Sequence, residues 1–210
     1  MNDMHDQYLQ DGEKTYIGRV DSVKHLSGRE RVLIQYWLTD PRAKELHILW
    51  NQKRDSIVVP VPEHEPLDML EVMIGEGNEK IGEGDHTFFF YSHDNRGHRS
   101  IIFETLINVY GDHYQETLIN HSLKNKTKSG NKLTLTWGGS SSADEIGIDI
   151  IYKQISGPEK SIFIPIAELG TTTILEDIDF SVPVQYRTWY KPRPNAIDQF
   201  SAPLVNIEIE

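Results

Sequence analysis

The feature that most constrains this chain is a period of two. Val32, Ile34 and Tyr36 alternate with Leu33, Gln35 and Trp37, and Leu46, Ile48 and Trp50 alternate with Glu45, His47 and Leu49. Successive side chains of a strand point to opposite faces, so each run presents one face to a core and the other to water. The runs are short and end at Gly, Pro, Asn or Asp, as at Thr39-Asp40-Pro41. Further strands are predicted at 55–61, 67–74, 86–93 and 99–107, the last two joined by the turn residues Asp94-Asn95-Arg96-Gly97. After a polar stretch at 121–131 the pattern resumes with Leu133, Leu135 and Trp137, then Ile146, Ile148, Ile150 and Tyr152, then runs at 161–166, 171–176, 184–190 and 205–209. Only 40–46 and 111–121 read as short helices or turns.

Many short strands at regular spacing predict an all-β chain, and 210 residues suit two sandwiches of about 100 residues each. The expected architecture is two tandem immunoglobulin-like or fibronectin-III-like antiparallel β-sandwiches. Its predicted parts are a flexible tether at 1–14, a first sandwich at 15–111, a linker at 112–125 and a second sandwich at 126–210. Parity puts Trp50, Trp137, Phe88 and Phe90 in the cores.

A formal charge of −11 would repel a phosphate backbone, and no Lys/Arg stripe offsets it, so nucleic acid is not an expected partner. The chain has no cysteine, which removes disulfides, thiolate nucleophiles and Cys-based metal sites. No apolar run approaches the roughly 18 residues that cross a bilayer. His93 and His98 flank a turn at a spacing that is no zinc signature, and the turn lacks the regular acidic ligands of a calcium loop. No metal and no cofactor is expected. Glycoside hydrolysis would need two carboxylates held across a sugar ring. The acidic residues at hand, Glu63, Glu65, Asp68 and Glu71, and Glu76, Glu79, Glu83 and Asp85, lie in polar, turn-like segments without an aromatic or Arg clamp. No nucleophile elbow, zincin helix, phosphate loop or dinucleotide fingerprint is present. The reading is non-enzymatic, with no catalytic residue, and a glycoside hydrolase is the weakest alternative.

Outward aromatics are the better lead, because a flat ring stacks on the apolar face of a sugar. If Val184, Tyr186, Thr188 and Tyr190 point inward, Gln185, Arg187 and Trp189 point outward, and Trp37 is outward if Tyr36 is inward. Arg187, Trp189 and Trp37 are therefore the candidate ligand-binding residues. The dull reading of either Trp is a cover for a junction or a loop. Two Asn-x-Ser/Thr sequons, at Asn120 and Asn125, would matter in a eukaryotic secreted protein.

Residues 8–51, 93–100, 108–123 and 185–200 carry in series the motifs DGE, IGR, DSV, DP, WN, DNRG-x-RS and VYGD-x-Y. Together they resemble a family of Bacteroidetes lipoproteins catalogued as domain of unknown function 4998. The chain departs from that family's pattern at Tyr36, where a Trp is usual, at His86, where a Tyr is usual, and in lacking a lipid-attachment Cys. The resemblance implies a fibronectin-III-like fold and a lipid-anchored place at the outer membrane or cell surface, beside glycan-import machinery. It implies no activity. On this reading a signal peptide and Cys precede residue 1 in the natural chain, and the only membrane contact is through that anchor. The expected function is a glycan-binding accessory protein of a polysaccharide-uptake system, with glycan or outer-membrane import proteins as partners. The alternative is a structural spacer or protein-interaction module.

Overall fold

The computed structural model describes residues 15–209; the expected tether at 1–14 lies outside them. The chain divides into two compact units, Met1–Val109 and Tyr110–Glu210.

The first unit holds β1 (Ser22–Ser27), β2 (Val32–Trp37), β3 (Glu45–Trp50), β4 (Asp55–Pro60), β5 (Leu70–Ile74), β6 (Gly84–His93) and β7 (Phe103–Val109). They form a three-stranded sheet in the order β1-β2-β5 and a four-stranded sheet in the order β4-β3-β6-β7, all antiparallel. The inward residues of both sheets make one core, including Val32, Ile34, Tyr36, Leu46, Ile48, Trp50, Phe88 and Phe90. Each such side chain is worth roughly 1.5–3 kcal/mol on leaving water, and period 2 delivers them all to one side.

The second unit opens with α1 (Asp112–Glu116), followed by β8 (Leu123–Ser129), β9 (Lys132–Trp137), β10 (Glu145–Lys153), β11 (Glu159–Pro165), β12 (Thr172–Leu175), β13 (Gln185–Tyr190), β14 (Phe200–Ser201) and β15 (Val205–Asn206). Its sheets run β12-β9-β8 and β11-β10-β13, with β14 and β15 both pairing β13. Strand for strand this is the order of the first unit, with β14 and β15 together standing where β7 stands. Both units are fibronectin-III-like antiparallel sandwiches. Residues 112–125 contain α1 and the start of β8. No helix among the described residues is long and apolar enough to cross a membrane.

Three local departures from the periodicity have physical causes. The run predicted from 67 starts at Leu70, because Asp68 closes a turn: its amide donates to Glu65 O at 3.0 Å and its carboxylate accepts from Glu65 N at 2.9 Å. The run predicted from 99 pairs only from Phe103. Between the bridge His93↔Arg99 and the pair Phe90↔Phe103, four steps on one strand oppose three on the other, so one extra residue bulges out. Ile101 and Ile102 are left exposed there while Ser100 is buried. Segment 40–46, expected as helix or turn, is a turn that enters β3. Gly75, after β5, has φ +94, and a Cβ there would lie 2.4 Å from Glu30 O, so the approach of the two backbones requires glycine.

In both units the segment leading into the first strand is tied to the sixth by a buried hydroxyl. Ser92 Oγ on β6 donates to Gly18 O at 2.6 Å, and Gly18 N donates to Asp40 Oδ2 at 2.6 Å. In the second unit His121 N donates to Thr188 Oγ1 on β13 at 2.7 Å. Thr188 N returns a bond to Asn120 Oδ1 at 2.8 Å, and Tyr186 and Tyr190 donate their hydroxyls to His121 O and Ile119 O. His121 Nδ1 meets Glu145 Oε2 at 2.6 Å and Nε2 meets Gly138 O at 3.1 Å. Both ring nitrogens thus face oxygen acceptors, and the contact with Glu145 is shut away from water, the two side chains being almost wholly buried. Glu145 Oε1 accepts from Ser141 N and Oγ, both at 2.8 Å. Burial pushes the Glu145 carboxyl up, but these His121 and Ser141 donors outweigh it and hold it below its ordinary value.

Candidate aromatic face of the second unit

The parity expected for β13 is what the structure has. Val184, Tyr186, Thr188 and Tyr190 are buried, while Gln185, Arg187 and Trp189 lie half-buried on the outward face. The Arg187 guanidinium sits 4.6 Å from the centroid of the Trp189 ring, a cation–π contact along one strand.

The neighbouring strands fix this pair. Asp149 on β10 lies opposite Arg187, and its Oδ2 accepts from Nε and Nη2, both at 3.1 Å. The other oxygen, Oδ1, accepts from Ser161 Oγ at 2.6 Å. Asp149 is buried, so its charge would be costly without these partners. One strand further out, Phe163 on β11 lies opposite Asp149 and is 51% exposed. Its ring leans over Gly147: a Cβ there would meet Phe163 Cζ at 2.1 Å, so only glycine lets the ring lie down. Gly147 is in turn the cross-strand partner of Trp189. Phe163, the bare backbone of Gly147 and Trp189 thus follow one another across three strands, with Arg187 held beside the indole by Asp149.

Trp37 is placed separately, in the first unit. Tyr36 is buried and Trp37 half-exposed, as its parity requires. The Lys24 ammonium lies 5.4 Å from the indole centroid. The ring borders an open, mainly apolar cleft shared with Asp21, Thr39, Pro66 and Leu67, the last 88% exposed. The structure brings Arg187 and Trp189 together and leaves Trp37 in its own setting. Sequence reading missed Phe163, Asp149 and Ser161. For Phe163 a signal existed, because Ile162 and Ile164 are core-facing and parity puts Phe163 opposite them. For Asp149 none existed, since its partners lie 12 and 38 residues away.

Four residues of the acidic clusters serve local structure. Asp68 closes its turn, Glu71 accepts from Gln35 at 2.6 Å, Glu76 lies 3.5 Å from Arg31, and Asp85 accepts from Asn108 at 2.8 Å. Among the described residues no group of three or more His, Asp or Glu is placed to hold a metal. His98 donates Nδ1 to Asp94 at 2.7 Å, while the His93 ring packs 4.3 Å from that of His47, so the two histidines flanking the turn have different partners. The side chain of Asn120, in the first sequon, is engaged at both ends, by Thr188 N and by Pro203 O.

A family described as a domain of unknown function matches residues 1–200. No curated protein matches the chain. Among solved structures, the FN1–FN3 domains of chicken CNTN1 are similar at 9% identity and a TM-score of 0.41, over 91% of this chain and 65% of that one. A segment of two fibronectin type III domains from chicken tenascin is similar at 14% identity and a TM-score of 0.30, over 90% of this chain and 99% of that one. This chain spans about two thirds of the CNTN1 segment. The fold assignment rests on the strand order described above.

Proposed function

The chain belongs to the family of domain of unknown function 4998, and from that membership we propose that it is a non-enzymatic binding module whose ligand, a glycan, lies against the outward face of β10, β11 and β13. A fibronectin-III-like fold suits a structural or interaction role, and function has to be argued from a site rather than from the fold. The observation that carries the reading is the Phe163–Gly147–Trp189 row, an aromatic surface in which the Arg187–Asp149 pair braces the indole. Arg187 covers part of the indole, so a pyranose stacks on Phe163 and on the ring surface that Arg187 leaves bare. Guanidinium donors not used by Asp149 then meet sugar hydroxyls. We place the protein at the bacterial outer membrane or cell surface, held by a lipid, as an accessory of polysaccharide uptake, on the strength of its family.

Screening the chain on a glycan array, beside Trp189→Ala and Phe163→Ala, tests the site. The expected result is a glycan bound by the parent and weakened about fivefold or more by each substitution, since an aromatic stacking contact is worth on the order of 1 kcal/mol. A blank array, or a hit indifferent to both changes, removes the glycan reading. It would then leave a protein-interaction module, which a second observation favours. The outward face of the first unit's four-stranded sheet carries exposed Val58 and Leu106 beside half-exposed Phe89 and Tyr91.

A further inference from the structure

One cleft of the first unit gathers cations in a chain whose formal charge is −11. Arg42 and Lys44, ahead of β3, line it together with Asp94, Asn95, Arg96 and His98 of the β6–β7 turn. Every oxygen of its Asp94, and of Asp40 that pairs with Arg42, already accepts a hydrogen bond. Asp40 Oδ1 accepts from Arg42 N and Nε, both at 3.0 Å, and its Oδ2 accepts from Gly18 N at 2.6 Å and Arg42 Nη2 at 2.7 Å. Asp94 Oδ1 accepts from Arg96 N at 2.8 Å and His98 N at 2.9 Å, and its Oδ2 from His98 Nδ1 at 2.7 Å. Lys44 and Arg96 make no ion pair among the described residues. Each of these oxygens already has a donor, which leaves the Lys44 and Arg96 charges outside any ion pair among the described residues, a surplus that suits an incoming oxyanion.

The surplus is also held in place. Asp94 N donates to His98 O at 3.2 Å, and Gly97 takes φ +85, which closes the turn carrying Arg96. Lys44 N donates to His93 O and Lys44 O accepts from Val61 N, both at 2.8 Å, so the backbone bearing the ammonium is fixed from two sides. At physiological salt the acidic remainder of the chain is screened beyond about 8 Å. That lets a local cluster act on a single anionic group, while the overall charge still disfavours a dense polyanion.

We propose that this cleft binds the carboxylate or sulfate group of an acidic saccharide, with Arg96 and Lys44 as its charged ligands. The saccharide part rests on the glycan reading above; the oxyanion part stands on the cleft alone. Arg42 and His98, each oriented by its own carboxylate, border the bound group, and the Asn95 amide reaches an adjacent hydroxyl.

The test is an NMR titration of the full chain with trigalacturonate, inorganic sulfate and a hexaglutamate peptide, repeated on Lys44→Gln/Arg96→Gln and Arg96→Lys. Trigalacturonate is expected to shift the backbone amides of 42–44 and 94–98 saturably and to be displaced by sulfate. It should bind about tenfold or more weakly to the double variant and bind nearly unchanged to Arg96→Lys, which keeps the charge. Shifts that survive in the double variant, or no saturable shift at these amides, overturn the site. Binding of hexaglutamate with trigalacturonate inert overturns the saccharide assignment. A response confined to Trp189 and Phe163 overturns the cleft and leaves the glycan face of the second unit standing.

Discussion

The two units solve one structural problem with different chemistry. Each must fasten the segment leading into its first strand, and each does so with a buried hydroxyl on its sixth strand, Ser92 in one and Thr188 in the other. Beyond that hydroxyl they part. The first unit adds Asp40, whose carboxylate is paired with the exposed Arg42. The second adds His121 and Glu145, a pair whose side chains are 2% and 0% exposed. A pair near the surface can lose one member and rehydrate, whereas a buried pair cannot. The same topology therefore gives one tolerant fastening and one brittle one.

The largest expected effect follows from that difference. Glu145→Ala leaves His121 and the Ser141 donors without their acceptor, and should destabilise the second unit by about 3–5 kcal/mol. Amide hydrogen exchange resolved strand by strand should show β13 opening far sooner while β6 is unchanged; an effect below that of Ser92→Ala would contradict the asymmetry. Next in size, Gly75→Ala forces a left-handed φ and a clash with Glu30 O, and should cost the first unit about 1–3 kcal/mol. Gly147→Ala meets the exposed Phe163 ring at 2.1 Å, which can swing aside, and the Ile164 backbone O at 2.9 Å, which must give way, and should cost the second unit about 1–2 kcal/mol. Equal losses at the two glycines would show that Phe163 is locked. Ser92→Ala in the first unit removes one hydrogen bond and should cost about 1 kcal/mol, read from the same exchange experiment.

Acid should weaken both units by a shared mechanism. Asp40 is held below its usual range by its hydrogen bonds with Arg42, against some burial and with the help of Gly18 N. Glu145 is held below its own by the donors that outweigh its burial. A carboxyl with a depressed folded pKa contributes stability that is complete above its unfolded value of about 4, and loses it as pH falls toward the folded one. Urea unfolding between neutral pH and pH 3 should therefore show a shallower acid loss for the first unit in Asp40→Asn and for the second in Glu145→Gln. Unaltered slopes would mean that other carboxyls govern the acid limb.

Much of the fold was legible because period 2 is a local signal. Tyr36 inside and Trp37 outside, Thr188 inside and Trp189 outside, and the buried Phe88 and Phe90 all follow from one alternation along one strand. Strand ends were less legible. The turn at Glu65–Asp68 and the bulge after Arg99 depend on hydrogen bonds that a run of apolar residues does not encode. The candidate face was half visible, with Arg187 and Trp189 given by parity and Asp149 and Gly147 supplied by the neighbouring strand.

By itself, then, the sequence determined the strand-rich class, the inward and outward sides of most runs and the lack of cysteine chemistry, since each depends on residues a few positions apart. Only the tertiary structure decided which polar side chains meet. Asp149 reaches Arg187 across 38 residues, His121 reaches Glu145 across 24, and Asp94 and Lys44 come to one cleft from separate loops. Strand order is set by burying two whole faces against each other, and no short stretch of chain carries that choice.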